Sequence, residues 1–204
     1  QATISELWVY PIKSCQGHTL KLANALPTGM QHDRCMMVVS ADGGKLVSQR
    51  GFPFMALIKP SIDGDILSLS APNMPNFSVS MSSHAGSKTV TVWRDTLPAI
   101  DMGDDVAHWF SSALKAPVRL VRFDPRQQRA VKRSMASLPD SHHLFADGYP
   151  YLVLSLASLR ALNERLIASG SQAIPTNRFR ANIVIDGVDA HTEDYAASMA
   201  HSSG

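Results

Sequence analysis

The sequence has 204 residues, of which 45% are hydrophobic and 18% charged, so it is long enough to bury a core in one large or two small domains. Its apolar runs, such as residues 151–154, stop far short of the roughly 20 residues of a membrane span, and no membrane association is predicted. A net charge of +2 does not by itself indicate a nucleic-acid partner. The two cysteines, Cys15 and Cys35, make no disulfide framework, and free thiols without a secretion signal predict a cytoplasmic protein.

Short strands are predicted throughout the first hundred residues. β-Branched and aromatic residues favour a strand at 4–10, which Pro11 ends because proline cannot donate to a sheet ladder. Further strands are predicted at 19–25, 34–40, 45–49, 56–62, 66–71, 77–81 and 88–94, with Asp42-Gly43-Gly44 and Asp63-Gly64-Asp65 as hairpin turns. Short strands at such close spacing indicate a barrel or a sandwich.

Two helices and one more strand follow. The first helix, at 101–114, opens with acidic residues that suit the positive end of a helix dipole and carries an apolar stripe. The second is predicted at 155–168 with Ser155 as its N-cap, and a buried strand at 181–186. The mixed-charge stretch 122–139 is interpreted as a linker or an active-site loop.

Three places could carry chemistry. Lys13 and Ser14 follow the first strand directly, where side chains converge on a pocket or simply form an exposed turn. Arg34 and Arg50 flank predicted strands; a guanidinium suits phosphate or carboxylate, although either arginine could pair with an aspartate. Near residue 180, two arginines and an asparagine precede the buried strand, as a polar cluster at a pocket mouth or as a capped strand entry.

Other charged patterns are less specific. A basic stretch has one aromatic neighbour, Phe123, so it is not a stacking platform for single-stranded nucleic acid; a solvated loop or a surface for a small anion or acidic partner is favoured. No HExxH or Cys-x-x-Cys pattern supports zinc at His142-His143. The basic stretch comprises Arg119, Arg122, Arg126, Arg129, Lys132 and Arg133.

Taken in order, these segments resemble the MOSC family (molybdenum-cofactor sulfurase C-terminal) with its N-terminal β-barrel-like domain. The matching segments are Tyr10-Pro11-Ile12-Lys13-Ser14, Asp33-Arg34, Gln49-Arg50, Val92-Trp93-Arg94-Asp95, Ala146-Asp147-Gly148-Tyr149-Pro150, Arg178-Phe179-Arg180-Ala181-Asn182-Ile183-Val184 and Glu193-Asp194. Ala181 stands where the family signature has proline. The resemblance covers roughly residues 4–195 and is closest to bacterial reductases of N-hydroxylated bases, which are related to the mitochondrial amidoxime-reducing component.

The resemblance implies a mainly β (α+β) fold and a molybdenum-cofactor (molybdopterin) site. It implies an N-terminal β-barrel-like domain over 1–121, a partial MOSC β-barrel over 122–195, and a disordered or non-family tail over 196–204. Lys13 and Ser14 would contact the phosphate end of the cofactor, and the family is also associated with pyridoxal phosphate binding. The implied cofactor-binding residues are Lys13, Ser14, Arg34, Arg50, Tyr149, Arg180 and Asn182.

The resemblance also implies a function. The intact protein would reduce N-hydroxylated compounds to amines with electrons from an iron–sulfur or flavin partner. The family ligates molybdenum through a downstream cysteine, and since the match fades at Tyr195, the chain is expected to be C-terminally truncated and to lack that ligand. Neither Cys15 nor Cys35 takes its place. The alternative is a non-catalytic module that binds the cofactor or a similar anion.

Overall fold

The structure, a computed structural model, describes residues 1–131, 141–196 and 198–200. These residues form short strands and three α-helices, so the predicted mainly β class is confirmed. The strands in chain order are β1 (Thr3–Val9), β2 (His18–Leu20), β3 (Ala25–Leu26), β4 (Gly29–Met30), β5 (Met36–Ser40), β6 (Lys59–Asp63), β7 (Ile66–Ser70), β8 (Phe77–Ser80), β9 (Ser87–Val92), β10 (Asp95–Asp101), β11 (Val118–Phe123), β12 (Val153–Ser155) and β13 (Ile183–Asp186). The α-helices are α1 (Asp104–Leu114), α2 (Leu156–Ala168) and α3 (Thr192–Tyr195).

The chain divides into two compact units. The larger holds residues 9–18 and 23–150, and the smaller holds residues 1–8, 19–22 and 151–204. Within the described residues, no helix has the length and apolar character needed to cross a membrane.

The larger unit is built on an antiparallel sheet of order β5-β11-β10-β9. Because successive strand residues point to opposite faces, Met36 and Val38 of β5 enter one apolar cluster and Met37 and Val39 enter another. β5 is therefore buried on both faces, which explains the unbroken apolar run in this strand. Helix α1 packs into the first cluster through Trp109 and Phe110, among others.

A three-stranded antiparallel sheet of order β6-β7-β8 completes the larger unit, together with the small β3-β4 ladder. Leu67 and Leu69 of β7 extend the cluster beneath α1. The segments that follow β1 and β9 meet residues 143–147 in a cluster of polar contacts.

In the smaller unit the sheet has the order β12-β13-β1-β2. β12 and β13 are parallel, and α2 supplies the crossover that a parallel pair requires. Ser155 caps α2, as predicted, because its hydroxyl accepts a hydrogen bond from the Ser158 amide at 3.0 Å.

Several predicted elements are wrong or displaced. The strand predicted at 45–49 is reduced to isolated bridges at Lys45 and Leu46. The strand predicted at 56–62 starts only at Lys59, because Pro53 opens a 3-10 helix (Pro53–Leu57). Helix α1 starts three residues later than predicted, since Asp101 ends β10 and Gly103 is the N-cap.

The sequence patterns also missed β10, β11 and β12. The strand predicted at 19–25 is divided between β2 and β3, and β5 begins at Met36 rather than at residue 34. Arg34 cannot belong to that strand because its φ is 44°, in the left-handed region. The basic-stretch residues Lys132 and Arg133 lie outside the described residues.

Candidate functional site

The backbone after β1 fixes Lys13 beside β5. The Lys13 amide donates to Met36 O at 2.8 Å, and the Met36 amide donates to Pro11 O at 3.1 Å. The Lys13 side chain is only 7% exposed. Its ammonium donates to Phe145 O at 2.7 Å and to Asp147 Oδ1 at 2.5 Å. A segment more than 130 residues away in the chain therefore supplies the partners of this lysine.

Trp93 shares the Asp147 carboxylate with Lys13. It lies in the two-residue turn between β9 and β10, with a φ of 57°, and its indole Nε1 donates to Asp147 Oδ1 at 2.7 Å. Non-glycine residues held in this region are often found at functional sites. The Lys13 ammonium is 5.9 Å and the Arg50 guanidinium 5.4 Å from the centre of the Trp93 ring. We call Lys13, Arg50, Trp93 and Asp147 the Trp93 cluster.

Arg50 and Ser14 keep donors available at this place. The Arg50 side chain is exposed, and its stacking on Trp93 is its only polar or ring contact within the described residues. The Ser14 carbonyl accepts from Gln49 Nε2 at 2.6 Å, while its hydroxyl makes no hydrogen bond to any residue that the structure describes. Both side chains could donate to a bound anion without first breaking an ion pair.

Arg34 lies over the ring of Tyr10. The guanidinium carbon is 4.4 Å from the ring centre, and Nη1 is 2.5 Å from Asp33 Oδ2. The second Asp33 oxygen accepts from the Tyr10 amide at 2.9 Å, which fixes the carboxylate. The pairing with aspartate that the sequence left open is therefore present, in a guanidinium that also stacks.

Opposing effects act on the two charges of the Lys13–Asp147 pair. Burial lowers the pKa of Lys13, and it outweighs the Asp147 carboxylate, which acts to raise it. Burial acts to raise the pKa of Asp147, but the Lys13 ammonium and the Trp93 indole outweigh it and hold that pKa below its usual value. The charge of Arg34 lowers both pKa values, so Arg34 belongs to the same electrostatic environment.

The other predicted site residues are Tyr149, Arg180 and Asn182, and each is described within its own unit. Tyr149 is 42% exposed in the larger unit, while Arg180 and Asn182 belong to the smaller unit. The Asn182 amide holds backbone together: Oδ1 accepts from the Leu152 amide at 3.2 Å and Nδ2 donates to Trp8 O at 3.3 Å. Arg180 has a φ of 56° just before this buried asparagine. Their contact with a cofactor stays a prediction.

Of the four arginines of the basic stretch that the structure describes, three form ion pairs inside the larger unit. Arg119 pairs with Asp101 and Asp104, and Arg126 pairs with Asp124. The carboxylate partners were not anticipated because most of them are distant in sequence. Arg129 likewise pairs with Asp95.

Neither cysteine is prepared to ligate a metal. Cys15 is fully buried among apolar side chains. Burial, reinforced by the Asp33 carboxylate, raises the pKa of Cys35 to about 12, so its thiolate is strongly disfavoured. The described residues contain no group of three or more His, Cys, Asp or Glu side chains arranged to hold a metal ion.

Sequence reasoning placed Lys13 and Arg50 near chemistry but missed the roles of Trp93 and Asp147. Both lie within segments that resemble family motifs, yet neither residue type alone indicates a site. One signal could have found Trp93: a large aromatic residue in a short polar turn is not needed for the core, which points to a role at the surface.

Comparisons with known proteins identify two domain families. Residues 1–117 match the MOSC N-terminal beta barrel domain, and residues 140–200 match the MOSC domain. Human mitochondrial amidoxime-reducing component 1 is 33% identical over 201 residues, and bovine mitochondrial amidoxime reducing component 2 is 34% identical over the same length. Each alignment covers 94% of this chain and 58% of the relative, so the chain spans little more than half the length of these relatives.

Proposed function

This chain belongs to the MOSC family, and we propose that it binds the molybdenum cofactor through the cationic side chains gathered at the Trp93 cluster and at Arg34. The observation that carries the proposal is Arg50, an exposed guanidinium on Trp93 with no carboxylate partner among the described residues. Beside it, Lys13 is balanced by one carboxylate, which is itself exposed. The Trp93 cluster therefore has one positive charge in excess, and an anion can complete it.

The donors suit the anionic end of the cofactor, which carries a phosphate and a dithiolene. An ammonium has three protons, and two of those on Lys13 are already donated, to Phe145 O and to Asp147. The third proton, the Ser14 hydroxyl and the Arg50 fork are the donors that remain. Arg34 would add its charge while Asp33 and Tyr10 hold it in place. Tyr149, Arg180 and Asn182 complete the proposed set on the strength of the family resemblance alone.

For the whole protein we propose the reduction of N-hydroxylated compounds, since the relatives are amidoxime-reducing components. When bound, the cofactor would supply the two-electron redox chemistry that converts the N–OH group, with two protons, into an amine and water. The residues of this chain would bind and orient the cofactor. Electrons would come from an iron–sulfur or flavin partner. The cytoplasmic location and the pyridoxal phosphate association stay predictions, and the relatives are named as mitochondrial.

A second candidate function is a cofactor- or anion-binding module that does not ligate the metal. The state of the two thiols favours it, because Cys15 is fully buried and the pKa of Cys35 is about 12. Thiolate ligation requires a deprotonated sulfur, which the raised pKa of Cys35 disfavours.

The test is to purify the chain from a host that makes the cofactor and to measure pterin and molybdenum per chain. We expect bound pterin to fall about tenfold in Lys13→Met and Arg50→Ala, because each loses a charge-assisted hydrogen bond to the anion. Lys59→Ala is the matched control, since Lys59 is an exposed lysine on β6 of the same unit. Pterin with molybdenum supports the leading function, and pterin without molybdenum supports the binding module. Pterin content that is insensitive to Lys13 and Arg50 would refute both.

A further inference from the structure

Two buried cations, Lys13 and Arg129, hold residues 143–147. Arg129 Nη1 donates to Ala146 O at 3.1 Å and also to Leu144 O. The carbonyl between them, Phe145 O, accepts instead from the Lys13 ammonium at 2.7 Å. Successive carbonyls thus meet Arg129, Lys13 and Arg129 in turn, and the segment ends at Asp147. Its position is set by both cations together.

Asp95 orients the Arg129 guanidinium. Its Oδ2 accepts from Arg129 Nη2 at 2.7 Å and from Nε at 3.0 Å. The Arg129 side chain is only 4% exposed, so the guanidinium depends on protein acceptors rather than water. With Nε and Nη2 held by Asp95, Nη1 is left pointing at the two carbonyls.

The β9–β10 hairpin acts on this segment in two ways. Trp93 occupies the turn between β9 and β10 and donates to Asp147, while Asp95, two residues later, holds the arginine that fixes Leu144 and Ala146. The hairpin therefore fixes the segment through the direct hydrogen bond from Trp93 to Asp147. It also fixes the preceding carbonyls through Asp95, which orients Arg129.

We propose that Asp95 and Arg129 are positioning residues, which hold the Asp147 carboxylate where Lys13 and Trp93 meet it and so set the geometry of the proposed anion site. The inference deepens the proposed function and rests on it for its biological meaning. Its structural content is independent of any bound group. Neither residue touches the proposed anion donors Ser14 and Arg50 in the described structure, so the effect passes through the 143–147 segment.

The test reads the indole N–H signals of the tryptophans by ¹H–¹⁵N NMR without added anion, with Trp93→Phe assigning the Trp93 signal. The variants are Asp95→Asn, which weakens the orienting carboxylate, and Arg129→Lys, which keeps the charge but not the fork. In both we expect the Trp93 N–H to move toward the position of a free indole and to exchange with water about tenfold faster, as a loosened hydrogen bond opens more often. Two variants of different severity guard against loss of the fold in one of them.

Trp109 is an internal reference, because its indole donates to Pro75 O at 2.8 Å within the same unit. A change confined to Trp93 supports positioning. An unchanged Trp93, or an equal change at Trp109, would overturn it, since the first means no coupling and the second means general loosening. Arg126→Lys is the matched control: this arginine pairs with Asp124 and its side chain is 76% exposed. A separate titration of the wild type with inorganic phosphate tests the proposed function. If phosphate does not bind, the proposed function fails, but the Trp93 measurement, made without anion, still decides whether Asp95 and Arg129 are positioning residues.

Discussion

Replacing Asp147 with asparagine should tighten the binding of inorganic phosphate at Lys13. In the structure the Asp147 carboxylate accepts a hydrogen bond from the Lys13 ammonium at 2.5 Å. The Lys13 side chain is 7% exposed, whereas that of Asp147 is 75% exposed. An incoming anion must share or displace this internal acceptor. Asparagine keeps the shape and an acceptor oxygen for Lys13 and Trp93 but removes the competing charge.

The size of the gain follows from the exposure of the pair. A charge-assisted hydrogen bond contributes about 1.5–3 kcal/mol when shielded, but an ion pair with an exposed partner contributes about 1 kcal/mol or less. Because Asp147 is mostly exposed, we take about 1 kcal/mol as the competition that is removed, which corresponds to about fivefold in the phosphate dissociation constant. The gain should shrink as the pH rises: without Asp147, burial is less opposed and the pKa of Lys13 falls further, so the ammonium loses its proton sooner.

The assay is titration calorimetry with phosphate near neutral pH. Asp104→Asn is the charge-matched control, because Asp104 also forms an ion pair, with Arg119, and its side chain is 93% exposed on α1. Both variants change the net charge equally, so only the difference between them reports local competition. Weaker binding in Asp147→Asn, or a gain no larger than that of Asp104→Asn, would show that the carboxylate supports the site rather than competing for it.

Two further predictions concern stability. Burial, aided by the Arg129 charge, lowers the pKa of His143 from 6.5 to about 4, so the unfolded chain binds more protons here than the folded chain as the pH falls between these values. The free energy of unfolding should therefore drop by about 3 kcal/mol across that window, at about 1.4 kcal/mol per pH unit. In urea unfolding, His143→Gln should lose this part of the acid sensitivity, whereas His84→Gln, at an exposed histidine, should keep it. Gly44→Ala should cost at least about 1–2 kcal/mol, because φ is 61° and a Cβ would lie 2.3 Å from a backbone oxygen, whereas Gly51→Ala, with open space, should cost far less; equal midpoints for the two alanine variants would contradict the hairpin geometry.

The fold was predictable where a pattern is local and failed where charge interrupts it. The N-cap at Ser155 and the apolar run of β5 are local signals, and both are confirmed. β11 was missed because Arg119 and Arg122 interrupt its apolar residues and resemble a solvated loop. The ion pair of Arg119 with Asp101 allows such a residue within a buried sheet, and its partner lies 18 residues away.

At the site, too, local sequence patterns fail where distant charges decide the burial of a residue. Arg126 and Arg129 are equivalent in sequence, three residues apart in one basic stretch, yet their side chains are 76% and 4% exposed. Arg126 pairs with a carboxylate two residues before it, a contact that leaves the chain free to stay in solvent. Arg129 pairs with Asp95, 34 residues away. Its guanidinium also contacts the His143 ring and the carbonyls of Leu144 and Ala146. Contacts with residues distant in sequence hold Arg129 in the interior, so no local pattern could have separated a solvated charge from one that positions the site.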